Sequence, residues 1–113
     1  INNQELIVHR ETERSWCYID DAIEVMNLIV DRKQKESYEV FNIGREDPLA
    51  TELLAEKIIK ICNSSSETRE IEVEPTIIPV KRACFKKAKV LLGWEAKTPI
   101  EQGLNELFKW MKK

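Results

Sequence analysis

The sequence predicts a mixed α/β fold, a small α+β-like lobe built from short strands and about four helices. Short runs of apolar and β-branched residues alternate with longer stretches in which apolar residues recur every three or four positions. Hydrophobic residues make up 42% of the chain and charged residues 34%, a balance typical of folded domains rather than disordered ones. The 113 residues suit one domain, so residues 1–113 are expected to form a single unit.

The first half of the chain is predicted to contain three strands and one helix. Strands are expected at residues 5–9, 15–19 and 38–43, with a polar turn at 10–13 and a charged loop at 31–36. The helix is expected to open at Asp20 and Asp21, where Asp21 and Glu24 have the spacing of a capping box. Its predicted buried stripe is Ala22, Val25, Met26, Ile29 and Val30.

The second half is predicted to contain three helices and one strand. One helix begins between Asp47 and Thr51 and ends near Asn63, and a strand follows at residues 71–74. A short helix over residues 85–92 is ended by Gly93, and the last helix starts at Thr98, which is expected to cap it. The predicted buried stripe of this last helix is Ile100, Leu104, Leu107, Phe108 and Met111, and Trp94 is expected to pack this helix onto the rest of the fold.

Charge and cysteine content exclude several classes of protein. The net charge of −2 argues against a nucleic-acid partner, and no apolar run approaches the ~20 residues that span a bilayer. The first ten residues lack the pattern of a signal peptide. Three cysteines without a C-x-x-C spacing indicate reduced thiols, and a single histidine predicts no metal site. A cytoplasmic protein that contacts neither membrane nor nucleic acid is therefore expected.

The familiar catalytic motifs are missing from the sequence. It contains no G-x-G-x-x-G loop, P-loop, G-x-S-x-G elbow or H-E-x-x-H pair. A nucleophilic Cys–His pair would have to combine His9 with one of three scattered cysteines, which are better explained as small core residues. The residues themselves therefore predict no catalytic site.

Three segments, in order, match a recognisable pattern. The first is RSWCYIDD at residues 14–21, and the second is FNIG at 41–44, followed by LLAEKI at 53–58. The third is KAKVLLGWEAKTPIEQGL at residues 87–104. In this order and spacing they resemble the C-terminal part of the extended short-chain dehydrogenase/reductases, the NAD-dependent nucleotide-sugar epimerases, dehydratases and decarboxylases.

This resemblance implies a division of labour within a longer enzyme. In that family an N-terminal Rossmann domain carries a glycine-rich loop, NAD or NADP and a Tyr-x-x-x-Lys pair. Neither Tyr18 nor Tyr38 is followed four positions later by lysine. The Rossmann domain is therefore expected to be absent from these residues, and the chain alone is expected neither to bind the cofactor nor to be catalytically active. What remains is the lobe that holds the nucleotide diphosphate of the sugar substrate.

The resemblance also implies three substrate-binding residues. Arg14 matches the family arginine that contacts the diphosphate, a role suited to a planar guanidinium that donates two parallel hydrogen bonds. Arg82 is a second candidate, with Lys81 as its possible substitute, because Ala83 and Cys84 stand where the family usually has proline and aspartate. Asn42 is the third. Each residue also has a purely structural alternative. Arg14 would then be a surface arginine, Arg82 part of a solvated basic loop, and Asn42 a residue that forms a turn.

Two functions therefore follow from the sequence. The leading hypothesis is the substrate-binding part of a nucleotide-sugar epimerase, dehydratase or decarboxylase, with the Rossmann domain and the nucleotide-diphosphate sugar as its partners. The alternative is a stand-alone, non-catalytic interaction or scaffold module derived from the same fold. Such a lobe leaves apolar surface uncovered, which would favour self-association.

Overall fold

A computed structural model describes residues 3–32 and 38–113 of the chain. These ranges contain four helices, α1 (Ile19–Asp31), α2 (Thr51–Cys62), α3 (Lys86–Leu92) and α4 (Ile100–Met111). They also contain five strands, β1 (Leu6–His9), β2 (Glu13–Arg14), β3 (Leu49–Ala50), β4 (Thr68–Ile71) and β5 (Val80–Lys81). This is the mixed α/β architecture with four helices that the sequence predicts. Within the described ranges, no helix has both the length and the apolar character needed to cross a membrane.

The strands form two small sheets. In the first, β1 lies parallel to β4, with Leu6 opposite Thr68 and His9 opposite Ile71. The second has the order β3-β2-β5, in which β2 is antiparallel to β3 and parallel to β5. The buried Thr12, between the two sheets, donates its hydroxyl hydrogen bond to the carbonyl of His9. Thr12 therefore fixes the turn that carries the chain from β1 into β2.

The core is small and lies between α1, α3 and the segment after α3. Val25 of α1, Ala88 of α3 and Trp94 are almost completely buried against one another. Cys17, Phe41, Leu92 and Ala96 pack around this cluster. Trp94 therefore joins α1 to α3, and the expectation that it packs the last helix onto the fold is wrong.

Helix α4 is attached to the rest of the fold by α2 and by a buried carboxylate. The ammonium group of Lys57 on α2 forms an ion pair with Glu101 on α4. The buried Asp21 accepts hydrogen bonds from both the backbone N–H and the hydroxyl of Thr98, each 3.0 Å long. Asp21 thus ties the first turn of α1 to the residues that lead into α4.

These bonds correct two predicted helix caps. The residues that precede α1 and α4 are Tyr18 and Pro99, and neither makes a side-chain capping hydrogen bond. Asp21 and Thr98 hydrogen-bond to each other instead of capping α1 and α4. Asn63 and Gly93 do end α2 and α3, both in the left-handed conformation, as predicted.

Three of the predicted strands differ from the structure. Residues 15–18 form no strand, because Cys17 turns into the core and Tyr18 packs on Gly103 while α1 begins at Ile19. Residues 38–43 have no strand partner within the described part of the chain, so their apolar run is not part of either sheet. The strand expected at 71–74 is β4, shifted towards the N-terminus by its pairing with β1. Most of the charged loop predicted at 31–36 lies outside the described residues, and residue 31 belongs to α1.

The predicted buried stripes are correct only in part. On α1, Val25 is buried, but Met26 and Ile29 are exposed and Val30 is 81% exposed. On α4, residues 100, 104 and 108 are half-buried, whereas 107 and 111 are exposed. Both helices carry apolar residues on more than one side, and the described chain covers only one side of each.

Candidate functional site

An open cleft of about 420 Å³ lies where β2, β5 and the segments before Gly44 and α3 meet. It contains all three residues that the sequence predicts as substrate-binding, Arg14, Asn42 and Arg82, although these are separated by up to 68 positions in the chain. Its other lining residues are Ser15, Phe41, Ile43, Lys81, Ala83 and Phe85. The cleft therefore combines three cationic side chains with two aromatic rings.

The sheet register sets which cations face the cleft together. Arg14 lies on β2, the central strand, and pairs with Lys81 of the parallel strand β5. Because paired residues in neighbouring strands project to the same face of a sheet, Arg14 and Lys81 stand side by side. Neither side chain forms an ion pair with a carboxylate in the part of the chain that the structure describes.

Backbone carbonyls hold the guanidinium of Arg14 in place. Its Nη1 donates to the carbonyl oxygen of Glu13 at 2.7 Å and to that of Pro79 at 2.5 Å. The Pro79 contact spans from β2 to the residue just before β5. A guanidinium has five N–H donors, so donors remain for an additional acceptor. Arg14 is thus oriented by the fold without its charge being neutralised.

Arg82 is placed differently from Arg14. Its Nη2 donates to the carboxylate Oε2 of Glu13 at 2.9 Å, and the two residues form an ion pair. The side chain of Arg82 is 65% exposed, so this pair lies at the surface and contributes little to stability. Arg82 therefore lines the cleft while its charge is partly compensated by Glu13.

Asn42 and two phenylalanines also line the cleft. The Nδ2 of Asn42 donates to the carbonyl of Cys84 at 3.3 Å, which connects the segment before Gly44 to the residues before α3. Phe85 is buried against Gly44, where an added Cβ would lie 2.9 Å from Cζ of the ring. This contact brings the two segments together, and only glycine leaves enough space for it.

A further lysine near the cleft is already neutralised. Lys87 of α3 donates to the carboxylate of Glu39 at 2.6 Å and to the carbonyl of Val40 at 2.9 Å. Its ammonium also lies 5.0 Å from the ring centre of Phe41, within cation–π range. The hydrogen bond and positive charge of Lys87 lower the pKa of Glu39 below its ordinary value. Lys87 thus contributes little free positive charge to the cleft.

Replacement of Gly44 by alanine is expected to destabilise the fold by about 2–4 kcal/mol, because a methyl group clashes with Phe85 and the backbone is strained. The φ angle of Gly44 is +156°, which side-chain-bearing residues rarely adopt. Urea unfolding would measure the loss. Gly93→Ala is the matched control: Gly93 has φ +65° and no atom within 4 Å of an added Cβ. It should lose only about 1–2 kcal/mol from backbone strain. Equal losses in the two variants would contradict the role assigned to Phe85.

Sequence reasoning missed part of this site. Glu13 has no local sequence signal, because its partner, Arg82, is 69 positions away. The helix predicted over residues 85–92 includes Phe85, whereas in the structure Phe85 precedes α3 and lies beside Gly44. Lys81 was considered only as a substitute for Arg82. The pairing of β2 with β5, which brings Lys81 beside Arg14, has no signature in the local sequence.

No protein-family model matches the chain. Among curated proteins, UDP-glucuronic acid decarboxylase 3 of Arabidopsis thaliana is 29% identical over 91 residues, which cover 80% of this chain and 26% of the plant enzyme. The first relatives are matched over only 26% to 32% of their own length, so the chain spans about a third of such proteins or less.

Solved structures share the fold. UDP-glucose 4-epimerase of Thermotoga maritima, solved with UDP-glucose, superposes with a TM-score of 0.82 at 25% identity, covering 98% of this chain and 37% of the epimerase. UDP-glucuronic acid 4-epimerase of Bacillus cereus, solved with UDP-glucuronic acid and NAD, gives a TM-score of 0.85 at 22% identity. That match covers 97% of this chain and 36% of the epimerase.

The sequence motifs, the fold and these relatives agree with one another. dTDP-glucose 4,6-dehydratases are also among the relatives and the structural neighbours. The chain is therefore similar to the C-terminal portion of the extended short-chain dehydrogenase/reductases, and its homologues and structural neighbours are UDP-sugar epimerases, UDP-glucuronate decarboxylases and dTDP-glucose dehydratases.

Proposed function

We propose that the cleft binds the diphosphate of a nucleotide sugar, and that the chain is the substrate-binding part of an NAD-dependent epimerase, dehydratase or decarboxylase. The observation that carries this proposal is the pairing of Arg14 with Lys81 on one sheet face, with neither charge neutralised by a carboxylate among the described residues. A diphosphate carries several negative oxygens close together, which matches two adjacent cations. Asn42 adds a polar group to the lining of the cleft.

Diphosphate binding would contribute to catalysis from a distance. A reaction at the sugar ring depends on how well the ring is held against the reacting groups, and contacts to a remote part of the substrate supply binding energy for that positioning. Arg14 is suited to this task because carbonyl contacts fix its orientation in advance. A preoriented guanidinium loses little freedom when the ligand binds.

The residues of this chain do not fit a dinucleotide cofactor. A pyrophosphate loop needs clustered glycines between a strand and a helix, whereas Gly44, Gly93 and Gly103 are widely separated. We propose that NAD or NADP is bound by a separate Rossmann domain of the same enzyme, where it would supply hydride transfer. This chain would orient the substrate and leave that chemistry to the other domain.

The outer face of α1 is where we place the contact with that domain. This face carries exposed apolar residues at helical spacing, opposite the buried Val25: Ile19, Ile23, Met26 and Val30.

The exposed Tyr38 and Val40 begin the apolar segment that has no strand partner among the described residues. The radius of gyration is 16.9 Å. A compact domain of this length would have about 13 Å, so the fold is extended rather than compact. A second copy of the chain is the alternative occupant of this face.

Calorimetric titration of the intact protein with UDP tests the proposed function. UDP is expected to bind measurably, while uridine, which lacks both phosphates, is expected to bind at least about 10-fold more weakly because the charged contacts are lost. The affinity for UDP should fall as salt increases, since exposed charges are screened. If uridine bound as tightly as UDP, or if salt had no effect, the diphosphate site would be refuted.

A further inference from the structure

Glu13 and Arg14 are neighbours on β2 and therefore project to opposite faces of the sheet. Arg14 shares its face with Lys81, whereas Glu13 is paired in register with Val80. Arg82 follows two positions after Val80 and donates its Nη2 hydrogen bond to the Glu13 carboxylate at 2.9 Å. Arg14 and Lys81 thus have no carboxylate partner among the described residues, whereas Arg82, which follows the end of β5 and lines the same cleft, is held by Glu13.

From this arrangement we propose that Glu13 competes with the anionic ligand for Arg82 and thereby sets the affinity of the cleft. The proposal rests on the proposed function, because it concerns the same diphosphate. Without ligand, Arg82 is paired with Glu13; with a diphosphate in the cleft, Arg82 leaves Glu13 and joins Arg14 and Lys81. Glu13 is a specificity-determining residue that does not itself touch the ligand.

The charges and exposure of this pair make the exchange feasible. The Glu13–Arg82 pair is at the surface, with 65% of the Arg82 side chain exposed, so little free energy is needed to separate it. A diphosphate carries more negative charge than one carboxylate and already has Arg14 and Lys81 beside it. Arg82 lines the cleft, so only its side chain has to move.

Glu13 also disfavours weakly charged ligands. Its carboxylate lies one residue from Arg14 and lowers the positive potential of the cleft. A ligand with a single negative charge attracts Arg82 about as strongly as the Glu13 carboxylate does, whereas a diphosphate attracts Arg82 more strongly. Glu13 therefore favours diphosphates over monoanions, a selectivity that a cleft of three uncompensated cations would lack.

The test is Glu13→Gln in the intact protein, with UDP as the probe in calorimetric titration. Glutamine keeps the shape of the side chain and removes its charge. UDP is expected to bind about 3- to 10-fold more tightly than in the wild-type protein, an effect of the size of an exposed ion pair. The matched control is Glu70→Gln, which removes the carboxylate partner of Arg10 in the other sheet and should leave UDP binding unchanged.

A second variant separates competition from simple repulsion. If Glu13 acts through Arg82, Glu13→Gln should raise the affinity for UDP much less when it is added to Arg82→Ala than when it is made in the wild-type protein. A gain that survives in the double variant would overturn the proposed competition, and so would unchanged or weaker UDP binding in Glu13→Gln when the wild-type protein binds UDP. If neither protein bound UDP, the diphosphate site itself would be refuted and this inference with it. These results are distinguishable because the wild-type titration is performed first.

Discussion

Replacing Arg14 by alanine is expected to weaken UDP binding by about 10- to 100-fold, the effect of losing charge-assisted hydrogen bonds from a preoriented guanidinium. In the described part of the chain, Arg14 is the one cation of the cleft that the backbone fixes in place, through the carbonyls of Glu13 and Pro79. In an active enzyme the same loss should raise KM for the nucleotide sugar. Calorimetry with UDP measures the affinity, and steady-state kinetics measures KM.

Two further variants show whether the effect comes from the ligand or from the fold. Arg14→Lys keeps the charge without the forked donors, so it should restore only part of the affinity. Arg10→Ala removes an arginine that is paired with Glu70 and Glu72 away from the cleft, and UDP binding should not change. In Arg14→Ala the affinity for UDP should also depend less steeply on salt concentration, an effect that a purely structural defect would not produce. Unchanged UDP affinity and unchanged KM in Arg14→Ala would remove Arg14 from the site.

Replacing Asp21 by alanine is expected to lower the free energy of unfolding by roughly 2–4 kcal/mol, because a buried carboxylate with two hydrogen bonds is lost and its donors remain unsatisfied. Asp21 receives both the backbone N–H and the hydroxyl of Thr98, so its loss loosens the start of α4. Urea-induced unfolding followed by circular dichroism measures the change.

Asp20 provides a matched control for this prediction. It is the same residue type, one position earlier in the first turn of α1, but it is exposed. Asp20→Ala should change stability by less than about 0.5 kcal/mol, as is usual for surface positions. If Asp20→Ala and Asp21→Ala lowered the free energy of unfolding equally, the effect would come from the dipole of α1 and not from the hydrogen bonds between Asp21 and Thr98.

The helices were predictable because their signals are local. Asn63 and Gly93 end α2 and α3 where the sequence indicates, since each left-handed cap depends on the residue itself and its immediate neighbours. The strands other than β1 were not, because a strand needs a partner backbone. The apolar run at 38–43 is the clearest strand pattern in the sequence, yet it belongs to neither sheet. The position of β4 is set by β1, about 60 residues away.

The family motifs predicted which residues share the cleft, but they did not predict the electrostatics of the cleft. Arg14, Asn42 and Arg82 were identified through the family motifs, and the structure places all three around one cleft. Their different surroundings could not be foreseen. Arg14 and Arg82 are the same residue type, but one contacts carbonyls and the other a carboxylate. That difference depends on tertiary contacts, which motif matching does not describe.

The position of Trp94 gives the molecule an internal optical probe. Trp94 is 1% exposed, and its indole N–H has no hydrogen-bond partner among the described residues, whereas Trp110 is 70% exposed. An indole in apolar surroundings emits at shorter wavelength than one in water, and an aqueous quencher reaches it poorly. Trp16 is 37% exposed, so the most quencher-resistant and most blue-shifted part of the fluorescence comes from Trp94, at the junction of α1 with α3. Changes in that signal would report movement at this junction separately from events at the end of α4.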